Sequence, residues 1–238
     1  MSPAPSLTRV RGVSARVGPH DWAWARDAHA AIAANWQRRV AATPAMFNGA
    51  VLLAHEAEVA PDGTLRVALF ESDYATLTAL IDLGFPDRSV ANIFAALAPR
   101  TKDGAYLLGR MGGHTARAGQ AYFACGTPDR TDVEPDGRVD LAASARREFT
   151  EETGLVVGGG SEGFVVVRDG GLLGILEPVT LAQDTAAVLA GIDAHLAREA
   201  EPELDGMVLV RGPGDIDPAT MPAYVRAFLA EALAGPAP

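Results

Sequence analysis

The chain has 238 residues, 48% of them hydrophobic and 21% charged, and a formal net charge of −10. That length suits one large domain or two small ones with a substantial core, and the acidic balance argues against sequence-independent nucleic-acid binding, which needs a basic face. No apolar run approaches the roughly 18 residues that cross a bilayer, the start MSPAPSLTRVRG carries no apolar signal-type stretch, and the single cysteine, Cys125, excludes an intrachain disulfide and a cysteine zinc site.

A cytoplasmic protein with no membrane partner is therefore expected. An acidic protein acting on an anionic substrate needs metal ions or a local Arg/Lys cluster to neutralise its site. Cys125 has Ala124 and Gly126 beside it and no local base, so a packing role is expected for it.

In chain order, Ser6 to Gly18 mixes Val with Arg in partial alternation and reads as a first strand. A helix is expected from Trp22 to about Val40, with Asp21 placed to cap it and Pro44 just beyond its end. AVLLAHEAEVAPDGTLRVALFES, opened by Asn48–Gly49, reads as two strands joined by a Pro61-Asp62-Gly63 turn. Tyr74 to Leu83 has helical spacing, Val90 to Leu97 reads as a strand, and AYLLGRM follows the turn Lys102-Asp103-Gly104 as another.

Gly112 to Gly119 is irregular, Ala121 to Ala124 is a short strand ending at Cys125–Gly126, and a polar loop runs from Thr127 to about Val139. A helix covers Leu141 to Thr153. Strands over Gly163–Arg168 and Leu172–Val179, a helix from about Asp184 to Glu199, a strand from Gly206 to Arg211 and a helix from Pro218 to Leu233 complete the chain. The tail Gly235-Pro236-Ala237-Pro238 is expected to fray. This order predicts a mixed sheet flanked by helices.

The informative segment is DLAASARREFTEETGL, Asp140 to Leu155. Asp140 stands at an N-cap position and Gly154 where a helix ends in a left-handed residue. Glu148, Glu151 and Glu152 fall at i, i+3 and i+4, which puts three carboxylates on one helical face. A solvated acidic face is the ordinary reading of such a cluster. Against it, like charges at this spacing repel, and the helix dipole disfavours anions in the last turn. Hard divalent cations held by oxygen ligands are the natural compensation.

Arg147-Glu148-Phe149-Thr150-Glu151-Glu152-Thr153-Gly154-Leu155 resembles the second half of the Nudix box, Gly-x5-Glu-x7-Arg-Glu-U-x-Glu-Glu-x-Gly-U with U apolar, at every fixed position. The first half departs from it, since Val139 and Val133 stand where the box has Glu and Gly. Aligning Cys125–Gly126 with the family's Gly-Gly pair restores the preceding strand and leaves a longer loop before the helix. Asp140 then caps the helix, with partial replacement of the missing Glu as the alternative.

The resemblance implies an α/β/α sandwich with a mixed β-sheet, here a Nudix-type hydrolase domain over 96–238 with an N-terminal α+β extension over 1–95 packed on it. It implies that Glu148, Glu151 and Glu152 bind Mg²⁺ or Mn²⁺, that Arg147 fixes the carboxylates, and that the chain hydrolyses a phosphoanhydride bond. One glutamate, or a residue of a later loop, would take the proton from the attacking water. Family members are often homodimers.

Arg110, Gly126 and the stretch His114 to Arg117 lie upstream of the box, near where relatives contact substrate phosphates. Glu199, Glu201 and Glu203 form a candidate second acidic site, or simply a solvated helix end. Trp36, Pro44-Ala45-Met46-Phe47-Asn48-Gly49 and Phe70-Glu71-Ser72-Asp73-Tyr74 are similar to the N-terminal region of the UDP-sugar pyrophosphatase branch. The expected substrate is a nucleoside diphosphate linked to a second group, such as a sugar. The same chemistry on coenzyme A, a dinucleotide or a nucleoside triphosphate is the alternative, and a non-catalytic sensor of a nucleotide-like metabolite is the reading from another class.

Overall fold

The N-terminal segment, expected as one strand, forms two in the computed structural model: β1 (Ser6–Val10) and β2 (Gly12–Val17). The structure describes residues 4–44, 46–115, 117–158 and 163–234, so the C-terminal Gly-Pro-Ala-Pro lies outside the described residues. The burial pattern explains the split. Val10 and Ala15 are both buried, an odd spacing that one strand of period two cannot turn to one side. The backbone breaks at Arg11, whose N–H donates to the Gly63 carbonyl, and each half joins a different sheet.

The helix expected from Trp22 is likewise two, α1 (Ala23–Asp27) and α2 (His29–Ala42), and Asp21 does not cap either. Trp22 takes the cap position and buries its ring, donating from its indole to Asp87 at 2.8 Å, while Asp21 pairs with Arg26. Anchoring Trp22 fixes the first turn in one direction, and Ile32 and Asn35 are buried on α2 in another.

The hairpin forms as expected from β3 (Ala50–Val59) and β4 (Thr64–Asp73), with Gly63 at φ +82° in the turn, a conformation that glycine takes at no steric cost. Asp73 caps α3 (Tyr74–Asp82) by accepting from the Thr76 N–H. β5 (Asn92–Arg100) and β6 (Tyr106–Met111) follow. The strand expected over Ala121–Ala124 resolves into β7 (Ala121–Tyr122), paired with β6, and β8 (Cys125–Gly126), paired with β5. The loop before the helix carries a 3-10 turn at Arg130–Asp132 and a short strand, β9 (Arg138–Val139).

α4 spans Leu141–Thr153. The chain ends with β10 (Phe164–Asp169), β11 (Leu172–Thr180), α5 (Thr185–Leu196), β12 (Leu204–Val210) and α6 (Ala223–Leu233). Pro222 sets the start of α6, later than the sequence suggests, because residues 217–220 are held in an Asp217-centred turn.

Two mixed sheets result rather than one. The larger has the order β1-β10-β11-β5-β6-β12, with β7 and β8 bridging β6 and β5, and the smaller has the order β3-β4-β2-β9. β5 is parallel to β11 and buried along nearly its whole length, which is why it reads as a continuous apolar run.

One face of β5, with Ile93, Ala95 and Leu97, packs with Leu141, Ala145 and Phe149 of α4 and with the inner face of the small sheet. The other face, with Phe94, Ala96 and Ala98, packs against Tyr224, Val225, Phe228 and Leu229 of α6. The large sheet thus lies between helices in an α/β/α sandwich. The outer face of the small sheet is covered by α3, through Leu53, Phe70, Leu77 and Leu80.

Candidate active site

Local chemistry fixes both ends of α4. The Asp140 carboxylate accepts from the Ala143 N–H at 2.9 Å, so it is the helix cap. Gly154 adopts φ +71° and returns its N–H to the Thr150 carbonyl at 2.8 Å, closing the helix in the left-handed conformation. Buried Ala145 and Phe149 point into the core, and Glu148 and Glu152, at i+3 and i+7 from Ala145, flank that face beside β8, against Gly126 and the Cys125 N–H.

Glu148, Glu151 and Glu152 line one cavity of about 140 Å³ together with Glu199, Glu201 and Glu203 from the connection between α5 and β12. The two acidic groups singled out in the sequence therefore meet in space. Burial pushes the Glu152 carboxyl up to about 8, helped by the neighbouring charges of Glu203, Glu148 and Glu151, with the Cys125 N–H working the other way. Burial also raises Glu148, against the pull of Arg147. Carboxylates that oppose one another's ionisation mark a site short of positive charge.

Arg147 supplies the nearest cation. Its guanidinium meets Glu148 at 2.8 Å, Glu151 at 3.3 Å and Asp132 at 3.1 Å. Burial works against its charge, but Asp132, Glu148 and Glu151 more than restore it and raise its pKa. Asp132 carries no signal in the family pattern. Its side chain is only 5% exposed, and its second oxygen accepts from the Asp129 N–H at 3.0 Å. The short motif Asp129-Arg130-Thr131-Asp132 has the acceptor spacing of a capping turn, the one clue that the longer loop is ordered. Arg130 ties that loop to the small sheet through both oxygens of Glu71.

Gly126 lies where a side chain would not fit. A Cβ there would come within 2.5 Å of the Glu148 carboxyl carbon. Val139, in the place of the box glutamate, is buried in the core and paired with β2, so it contributes no acid. Arg110 does not line this cavity; it pairs with Asp205 across β6 and β12. His114 packs over Gly112.

On the other side of β8 lies a second cavity, of about 200 Å³. Phe94, Tyr122 and Tyr224 wall it, α3 contributes Tyr74, Leu77 and Ile81, and Arg117, Asn92 and Thr127 are among its polar members. Cys125 lines it too, and burial pushes its thiol up to about 12, so it stays neutral. Glu152 contributes to the raised pKa values of both Cys125 and Tyr122, which places the two cavities within electrostatic reach of each other.

No model of a known protein family matches the chain, and no curated protein matches it. Among solved structures it is similar to the crystal structure of MutT protein from Methanosarcina mazei Go1, with 21% sequence identity and a TM-score of 0.41 over 59% of this chain and 91% of that one.

Proposed function

We propose that the protein is a Mg²⁺- or Mn²⁺-dependent pyrophosphohydrolase that cleaves the diphosphate bond of a nucleoside diphosphate linked to a second group such as a sugar. The observation that carries this reading is the shared cavity: six glutamates from α4 and the α5–β12 connection, with Arg147 held beside them by buried Asp132. The donor set is oxygen only, which suits hard divalent ions rather than zinc or copper. Its excess negative charge calls for a cation. Among the described residues no three acidic, His or Cys side chains converge into a ready-made cation shell, so the fit rests on donor chemistry and charge.

Glu148, Glu151 and Glu152 would hold the ion, with Glu199, Glu201 and Glu203 facing them. Bound there, it would neutralise phosphoryl charge and make water a better nucleophile at neutral pH. The chain's own part is positional. Arg147 restrains Glu148 and Glu151, Asp132 restrains Arg147, and side-chain-free Gly126 leaves Glu148 its place.

The test is release of nucleoside monophosphate from a panel of diphosphate compounds with Mg²⁺, repeated with Glu152→Gln. EDTA should abolish turnover, and the substitution should lower it by about 100-fold or more. Turnover indifferent to Glu152→Gln would overturn the site, and binding without turnover of any compound would favour a metabolite sensor.

A further inference from the structure

We propose that His195 is a positioning residue that sets the width of the acidic cavity, by tying the end of α5 to the last turn of α4 through the Glu151 backbone. This rests on the cation-site reading of that cavity and adds what keeps its two sides together before an ion is bound.

The imidazole is held on two sides. Its Nε2 donates to the Glu151 carbonyl at 2.9 Å. Carbonyls in the last turn of a helix lack intrahelical partners, and the N–H four residues on, that of Leu155, donates to the Thr153 hydroxyl instead. The bond therefore satisfies a group that the helix leaves open, from a residue 44 positions away in sequence. The ring also fills the space beside Gly154, where a Cβ would lie 2.6 Å from its Cγ and 2.7 Å from its Nδ1. With the side chain only 17% exposed, His195 is a fixed strut and not a mobile surface group.

Its place in the chain gives that strut a purpose. Leu196, the next residue, lines the acidic cavity, and the connection that follows brings Glu199, Glu201 and Glu203 to face Glu148, Glu151 and Glu152. Nε2 itself lies 3.9 Å from Glu199 Oε1. One ring thus bonds the backbone of the first acidic group and stands beside a carboxylate of the second.

Charge supplies the need for a tether. Six glutamates facing one another across about 140 Å³ repel when no cation is present, which favours the α5–β12 connection swinging away from α4. A donor on a backbone carbonyl opposes that motion and occupies none of the cavity, so the carboxylates stay arranged for an ion.

The experiment is Mn²⁺ titration of the full chain, followed by electron paramagnetic resonance, with two variants. His195→Phe keeps a ring on Gly154 and removes the donor, whereas His195→Gln carries an amide N–H to where Nε2 stands. His195→Phe should bind Mn²⁺ about tenfold more weakly than the wild-type chain, and His195→Gln should recover binding to within about threefold. In the wild-type chain, nitrogen-15 NMR at about pH 8, where the ring is neutral, should show His195 as the Nε2–H tautomer with that proton slow to exchange; this readout needs no variant to fold. Wild-type affinity in a folded His195→Phe, equal weakening in both variants, or an Nδ1–H tautomer would overturn the tether and leave the cation site standing. Absence of Mn²⁺ binding by the wild-type chain would remove the cation site, and the tether's purpose with it.

Discussion

Gly126 and Glu148 show how closely the proposed chemistry depends on single atoms. A methyl group at position 126 would sit 2.5 Å from the Glu148 carboxyl carbon and 2.7 Å from Oε1, so the carboxylate must move. The obstacle is the end of a flexible side chain and not backbone, and the fold should accommodate it. Gly126→Ala is therefore expected to lower turnover at least tenfold while shifting Tm by only a degree or two, read by kinetics and thermal unfolding of the same sample. Glu152→Gln should separate activity and stability in the opposite sense. Replacing a carboxyl that burial and its neighbours force to stay protonated in the fold should raise Tm in EDTA at neutral pH by about 2–4 °C while turnover falls, and a lower Tm would contradict the opposition to its ionisation described for this site.

The ends of α4 decide where its carboxylates stand. Gly154 needs both its positive φ and its open side, because a Cβ would come within 2.6 Å of the His195 ring. His195 in turn bonds the Glu151 carbonyl at 2.9 Å, joining α5 to the last turn of the site helix. Gly154→Ala is expected to cost about 1–3 kcal/mol by chemical denaturation and to raise the Mg²⁺ concentration needed for half-maximal turnover; unchanged stability would show that the helix end is free to shift.

This element was largely legible in sequence, since α4 begins and ends where Asp140 and Gly154 indicate. The ordered loop before it was not, because its organisation comes from distant partners: Asp132 from Arg147, Arg130 from Glu71 and β9 from β2. Likewise the break at Arg11 reflects two sheets competing for one segment, a tertiary effect that alternating residues cannot announce.

At the scale of the molecule, the large sheet is opened between β5 and β6, where β7 and β8 are inserted, and the two cavities flank that insertion. The acidic residues were visible as clusters in the chain, but their meeting in one cavity and the assembly of Asn92, Phe94 and Tyr224 around another depend on strand order. Local pattern carries no such information.

The small sheet bears a further global handle. His55 stacks on His20 at 4.2 Å, and burial followed by the charge of His20 lowers its pKa, with Glu56 opposing. The unfolded chain, near 6.5, then takes up the proton first as pH falls, so the stability linked to His55 is present above pH 6.5 and is lost as pH drops through the lowered folded value. Denaturation midpoints at pH 7.5 and 5.5 should differ more for the wild-type chain than for His55→Gln; an equal difference would contradict the assignment.

The central claim is that the glutamates of α4 form a divalent-cation site, and direct Mn²⁺ titration followed by electron paramagnetic resonance tests it without any knowledge of the substrate. The wild-type chain should bind Mn²⁺, and the double variant Glu148→Gln/Glu152→Gln should lose that binding by about 100-fold while remaining folded. Equal Mn²⁺ binding by the two proteins would contradict it.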